Sequence, residues 1–180
     1  MSVFEKGNIP SLDEVLQTRE KRVLFQRELC RKYPEGTVIS FKCNIPGPVK
    51  NNAAIKQLFE TGKEKIWNIL SSKGITVKYF KEMDLNTGPE CFFVAEESAK
   101  IIKRLMIEIE ETTPVGRLFD NDVLYANGKQ VETVSRTQLG HPVRRCFICS
   151  NNAKSCARSR THTFEEIYLK MEKLLSNFNK

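Results

Sequence analysis

Thr113-Pro114-Val115-Gly116-Arg117-Leu118-Phe119-Asp120-Asn121-Asp122-Val123-Leu124 changes character part-way along. Proline and glycine open it as a turn, and the residues from Leu118 to Ala126 then predict a strand. Asn127-Gly128 predicts a hairpin turn, with Val131 to Ser135 as the returning partner. On a strand, side chains two apart share a face, so Asp120 and Asp122 project together.

Upstream, Ser98 to Glu111 predicts a helix with Ile101, Ile102, Leu105, Met106 and Ile109 on its inner side. Thr87-Gly88-Pro89 predicts a turn between strands at Ile75 to Phe80 and Cys91 to Ala95. Asn52 to Ser72 carries a helical apolar stripe from Ile55 to Leu70, ended by Gly74. Thr37 to Cys43 suits a pleated surface. Before it, Ser11 with Glu14 has capping-box spacing, and Leu12, Val15, Leu16, Val23 and Leu29 continue a helix to about Tyr33-Pro34. Downstream lie a Cys-rich loop and an amphipathic closing helix, Phe164 to Phe178. The expectation is one mixed α/β (α+β) domain over residues 1–180, its mixed sheet flanked by helices. Within it, residues 144–162 form the Cys-rich segment and 164–178 the closing helix.

The bulk composition agrees with a folded core. The chain has 180 residues, 40% hydrophobic and 28% charged, which excludes a disordered chain. Lys and Glu interrupt every apolar run, so no membrane span is expected, and Met1 to Pro10 lacks a secretory pattern. A cytoplasmic location is the resulting expectation. Cys30, Cys43 and Cys91 stand singly in apolar segments and read as small buried hydrophobes. The net charge of +7 favours an anionic partner: nucleic acid, polyphosphate or an acidic protein.

Three constellations carry chemistry. Asp120 and Asp122 repel unless a cation lies beside them, and magnesium takes one or two carboxylates with substrate phosphates. Gly116 would admit a phosphate to the backbone, and Arg117 would fork onto its oxygens. The rival reading is a solvated turn. Cys146-x2-Cys149-x6-Cys156-x5-His162 offers three thiols and an imidazole, a set of the kind that holds zinc, with His141 as a further imidazole. Its rivals are free thiols or a redox pair. From Arg136 to Thr163 there is no acidic residue, and Arg136, Arg144, Arg145, Lys154, Arg158 and Arg160 lie inside. Arginine suits phosphate, whereas only Phe147 could stack on a base, so no nucleic-acid platform is visible. Lys50, closing the rigid Pro46-Gly47-Pro48 loop, is a further candidate phosphate contact or simply a solvated lysine.

Three segments together resemble the holo-citrate lyase synthases, the apo-citrate lyase phosphoribosyl-dephospho-CoA transferases. They are Asn44 to Lys50, Pro114 to Leu124, and Arg144 to Cys149 continuing at Cys156 to His162. Their order and spacing match over nearly the whole chain. The resemblance implies transfer of 2'-(5''-triphosphoribosyl)-3'-dephospho-CoA to a serine of the citrate lyase acyl carrier (gamma) subunit, with release of pyrophosphate. It implies that Asp120 and Asp122 hold Mg2+, that Arg117 acts with them, and that Gly116, Lys50, Arg144, Arg145, Arg158 and Arg160 contact the donor. It points toward a nucleotidyltransferase-like fold. The family often has His where this chain has Thr113, so no general base is assigned. Another acyl carrier, such as that of malonate decarboxylase, and a zinc-stabilised nucleic-acid-binding module are the rival expectations.

Overall fold

The computed structural model describes residues 2–178. Its elements are α1 (Leu12–Lys32), β1 (Thr37–Cys43), α2 (Ala53–Ser72), β2 (Val77–Leu85) and β3 (Gly88–Ala95). They continue with α3 (Ala99–Thr112), β4 (Phe119–Asn127), β5 (Gln130–Thr133), α4 (Ala153–Ser159) and α5 (Phe164–Phe178). Ser11 caps α1 with a complete capping box, as its spacing with Glu14 predicts. Asn52 caps α2 by accepting from the Ile55 N–H at 2.9 Å.

The strands lie in the order β2-β3-β1-β4-β5, and every neighbouring pair is antiparallel. The mixed α/β character stands, but the sheet itself is antiparallel throughout rather than mixed. Topology explains the difference. Helix α2 connects β1 to β2, which run the same way with β3 inserted between them. Helix α3 connects β3 to β4, which run the same way with β1 inserted. Each βαβ crossover is therefore split, and its parallel strands never touch.

One face of the sheet carries the main core. Ile39, Phe41, Phe93, Phe119 and Val123 pack there against Ile55, Phe59 and Ile66 of α2 and Ile102, Met106 and Ile109 of α3. The opposite face changes along its length. At one end Val38, Phe92, Val94 and Leu124 pack under Leu29 and Cys30 of α1. Towards the other end the same alternation presents Ser40, Lys42, Glu90, Asp120 and Asp122, which pair across the strands. The apolar half anchors α1, and the polar half is left for chemistry.

Four local expectations are corrected. The inner side of α1 runs through Val15, Thr18, Arg22, Phe25 and Leu29, while Leu12, Leu16 and Val23 are exposed. The polar end of the sheet selects this rotation, because Arg22 reaches down to pair with Glu90. In α3, Ile101 is exposed, and Lys103 and Ile107 are buried in its place. Strand β2 starts at Val77 and runs on to Leu85, and Gly88-Pro89 belong to β3 rather than to the turn. The Cys-rich loop contains helix α4, capped by Asn152. Of the single cysteines, Cys30 and Cys91 are buried, and Cys43 is half-buried.

Candidate active site

Strand β5 pairs only with the Leu124–Asn127 end of β4, so the outer edge of β4's other end has no strand beside it, while β1 runs along its inner edge. Its outward carbonyls find other donors. Arg144 donates to Phe119 O at 3.0 Å, Lys103 Nζ to Asn121 O at 2.7 Å, and the Val134 N–H to Val123 O at 3.0 Å. Unpaired strand carbonyls would be costly if buried, and here two of the three are satisfied by cations. The same two cations thereby stand beside the carboxylates.

Asp120 and Asp122 open into a cleft of about 450 Å³, lined also by Asn44, Lys103, Glu110, Arg136, Arg144 and Lys154. Lys42, opposite Asp120 on β1, is ion-paired with it. Burial alone would raise the Asp120 carboxyl, but the charge and hydrogen bond of Lys42, with Arg144 and Lys103, hold it below its ordinary value. Asp122 moves the other way: burial and the Asp120 charge push it up, against Lys42 and Lys103. Burial lowers the Lys103 ammonium, opposed by Glu110, Asp122 and Asp120. The pair thus differs in proton affinity, and Asp122 still lacks a full counter-charge. Oxygen donors two apart on one strand face, beside open space, fit a hard divalent cation.

Behind Arg144 lies a second cavity, a groove of about 590 Å³. Its apolar lining includes Ile45, Pro46, Phe147, Ile148, Phe164 and Ile167, and its cations are Lys50, Arg117, Arg144 and Arg160. Cleft and groove share Asn44, Arg144, Ala153 and Ala157 as a common wall. Arg144 is fixed by the buried Glu110 at 2.5 Å. Arg117 donates to the Arg145 carbonyl, and burial followed by the charges of Arg144 and Arg136 pushes its guanidinium down from its ordinary value. Lys50 donates to Ile45 O at 2.7 Å, and burial and the Lys42 charge lower its ammonium. Two cations lowered by burial and by neighbouring positive charge mark a site short of anions. Gly47, at φ +88°, leaves room for Tyr168 of α5, whose hydroxyl would lie 1.7 Å from a Cβ there.

The Cys-rich segment brings Cys146, Cys149, Cys156 and His162 together, with one ligand atom from each inside 4.8 Å. Burial would raise the Cys146 thiol, but hydrogen bonds from the backbone of Cys149 and Ile148 bring it down to about 7. Burial and its sulfur neighbours push Cys156 up to about 11. His141 stands apart, 4.0 Å from Glu111.

Residues 10–178 match the family of the apo-citrate lyase phosphoribosyl-dephospho-CoA transferases. A probable apo-citrate lyase phosphoribosyl-dephospho-CoA transferase of Streptococcus pyogenes serotype M18 (strain MGAS8232) is 37% identical over 97% of this chain and 90% of its own length. One of Vibrio cholerae serotype O1 (strain M66-2) is 35% identical over 94% of this chain and 93% of its own. The Protein CitXG of Leuconostoc mesenteroides subsp. cremoris is 35% identical over 100% of this chain, which spans 38% of that longer protein. The chain belongs to this transferase family.

Of the residues that sequence suggested for such a transferase, Asp120, Asp122, Arg144, Arg117, Lys50 and Arg160 line the two joined cavities. Arg145 is exposed and offers its carbonyl, and Arg158 is exposed on α4 and lines neither cavity. Gly116 is buried against α3, where a Cβ would stand 2.5 Å from the Glu110 carbonyl oxygen and 2.7 Å from that of Ile109. Its close approach is to the protein's own backbone. Thr113 is buried and borders a separate depression with Lys65 and Asn68, outside both cavities. Sequence reasoning missed Lys42, Lys103 and Glu110. Lys42 was legible as the cation two residues beyond Ser40 on one strand face. Lys103 and Glu110 stand at i and i+7 with Ile107 between, a buried stripe that polarity disguised.

Proposed function

We propose that this chain transfers 2'-(5''-triphosphoribosyl)-3'-dephospho-CoA to a serine hydroxyl of the apo-citrate lyase acyl carrier subunit. The observation that carries the reading is the shared wall between a carboxylate cleft and a cation-rimmed apolar groove. A donor of this class has one polyphosphate end and a long, partly apolar remainder. The groove suits the remainder, with Phe147, Ile148, Phe164 and Ile167 taking its apolar parts. The polyphosphate would lie at Arg144, between Arg117 and Lys50 on one side and Lys42, Lys103, Arg136 and Lys154 on the other.

In the transfer, the carrier serine oxygen bonds to the α-phosphorus. The bond from that phosphorus to its bridging oxygen breaks, pyrophosphate leaves with the electron pair, and the hydroxyl proton passes to solvent. Arg117 and Arg144 hold phosphate oxygens in line and stabilise charge on the departing group. Asp120 and Asp122 would hold a divalent cation, magnesium by its preference for carboxylate and phosphate oxygen, which supplies Lewis acidity when bound. Lys42 keeps Asp120 ionised and so keeps a ligand ready. The net charge of +7 favours encounter with an acidic carrier. Among the described residues no helix is long and apolar enough to cross a membrane. Cys30, Cys43 and Cys91 stand as single free thiols, which suits a reducing, cytoplasmic setting.

The test is the intact mass of purified apo carrier after incubation with this protein, magnesium and the donor. A gain equal to the donor minus pyrophosphate, absent with EDTA, is the expected outcome. No gain with a carrier and donor proven competent would refute the reading.

A further inference from the structure

We propose that Cys146, Cys149, Cys156 and His162 bind one zinc ion, which fixes the segment 144–163 as a wall of the groove. The first ground is convergence. Cys149 Sγ lies 3.5 Å from Cys156 Sγ and 3.3 Å from His162 Nε2, and all four ligand atoms fall within 4.8 Å. Tetrahedral zinc, with Zn–S of about 2.3 Å and Zn–N of about 2.0 Å, sets its ligand atoms about 3.5–3.8 Å apart. The cluster needs only small adjustments to reach that shell.

The second ground is how separate pieces of backbone are bent to deliver the ligands. Cys146 and Cys149 sit in a turn held at its base by the isolated antiparallel bridge between Arg145 and Asn152. The Cys146 N–H closes the turn on Asn151 O at 2.7 Å. Cys156 comes from α4, oriented by the Asn152 cap. Arg160 then adopts a left-handed conformation at φ 49°, and the Thr161 N–H returns to Cys156 O at 3.1 Å. Among the described residues it is the only non-glycine residue with positive φ. That reversal carries His162 back to the sulfurs, in a backbone conformation that L-residues other than glycine adopt at an energetic cost.

The third ground is charge. Three thiolates around Zn2+ leave one net negative charge. The surrounding run from Arg136 to Thr163 contains no acid and supplies Arg144, Arg145, Lys154, Arg158 and Arg160. A soft donor set of three sulfurs and one nitrogen also separates this ion from the one suited to the Asp120/Asp122 oxygens. A disulfide would use two of the sulfurs and leave the third and the imidazole without a purpose.

The zinc proposal stands on these residues independently of the transfer reading, and its test needs no donor or carrier. The full chain, purified without chelator, is expected to contain about one zinc per molecule by elemental mass spectrometry. Replacing the zinc with cobalt should give thiolate-to-metal charge transfer and intense tetrahedral visible bands. Cys149→Ser should abolish both signals. His162→Cys keeps four ligands, so it should retain the metal while shifting the cobalt bands to those of a four-thiolate site. Three results would overturn the proposal: zinc-free protein that gains no cobalt bands, zinc unaffected by Cys149→Ser, or cobalt bands unmoved by His162→Cys. A Cys149–Cys156 disulfide in place of metal, found by alkylation and mass spectrometry, would overturn it equally.

Discussion

The carboxylates of β4 and the Cys/His cluster flank the same residue, Arg144, yet they are held in opposite ways. Asp120 and Asp122 stand in a hydrogen-bonded ladder opposite Lys42 and Ser40, over a core containing Phe41, Phe119 and Val123. The segment after Arg144 has a single isolated bridge, Arg145 to Asn152, and one short helix. Side chains join it to the body: Arg144 reaches Phe119 O and Glu110, and Arg117 reaches the Arg145 carbonyl. The first region inherits its geometry from the sheet, whereas the second must be cross-linked into shape. The proposed catalytic carboxylates therefore sit where position is cheapest to maintain, and the adaptable wall sits where the proposed zinc would set it.

The largest effect should come from the ladder side without disturbing the ladder. Asp120→Asn and Asp122→Asn should each lower kcat by at least about 100-fold, the effect of losing about 3 kcal/mol of charge stabilisation. Transfer at the wild-type rate in both variants would remove the carboxylates from the mechanism. Their stabilities should move in opposite directions. The Asp120 carboxyl is held low in the fold, so its charge stabilises above the unfolded pKa, and that contribution is lost as pH falls through the folded value. Asp122 is held high, so its contribution is present in acid and lost as pH rises through the raised value. At neutral pH without added metal, Asp120→Asn should lower Tm and Asp122→Asn should raise it. Shifts of the same sign would show that the two environments are not distinct.

Next in size is damage to the frame itself. Gly116→Ala drives a methyl into the last-turn carbonyls of α3, where neither backbone can yield cheaply. A loss of about 2–3 kcal/mol is expected, read as a Tm decrease of several degrees. An unchanged Tm would mean that α3 and the strand β4 that follows it are not locked together there.

The contrast can also be tested from the cross-linked side. Loss of the zinc ligand in Cys149→Ser should speed hydrogen exchange across 144–163 and leave β4 protected. It should raise the KM for the donor about 10-fold, equivalent to about 1.4 kcal/mol, with a smaller change in kcat. Equal fast exchange in β4 would erase the distinction between the two regions.

The same contrast explains what the sequence made legible. Periodicity located β1 and α2 closely and placed Asp120 with Asp122, because local pattern and final environment agree there. It misassigned the buried side of α1, because the sheet beneath is polar and pulls Arg22 inward where apolar residues were expected. It missed Lys103 and Glu110, since their burial depends on satisfying a strand edge and an arginine distant in sequence. The meeting of groove and cleft at Arg144 is a tertiary fact that spacing does not encode. The cysteine spacing did point to a cluster, and the fold supplied the turn at Arg160 that closes it.

That turn offers the smallest and most local test. Arg160 combines a left-handed backbone with a side chain that lines the groove, and two substitutions separate these roles. Arg160→Ala removes the guanidinium and keeps the conformational cost, whereas Arg160→Gly removes both. Both variants should weaken donor binding to the same small extent, because both lose the same charge. Gly should nevertheless be the more stable of the two by about 1 kcal/mol, measured by denaturant unfolding of zinc-loaded protein. Equal stabilities would mean that the segment relaxes out of the left-handed turn. His162 would then be delivered to the sulfurs by another route, and the wall would be softer than the frame it leans on.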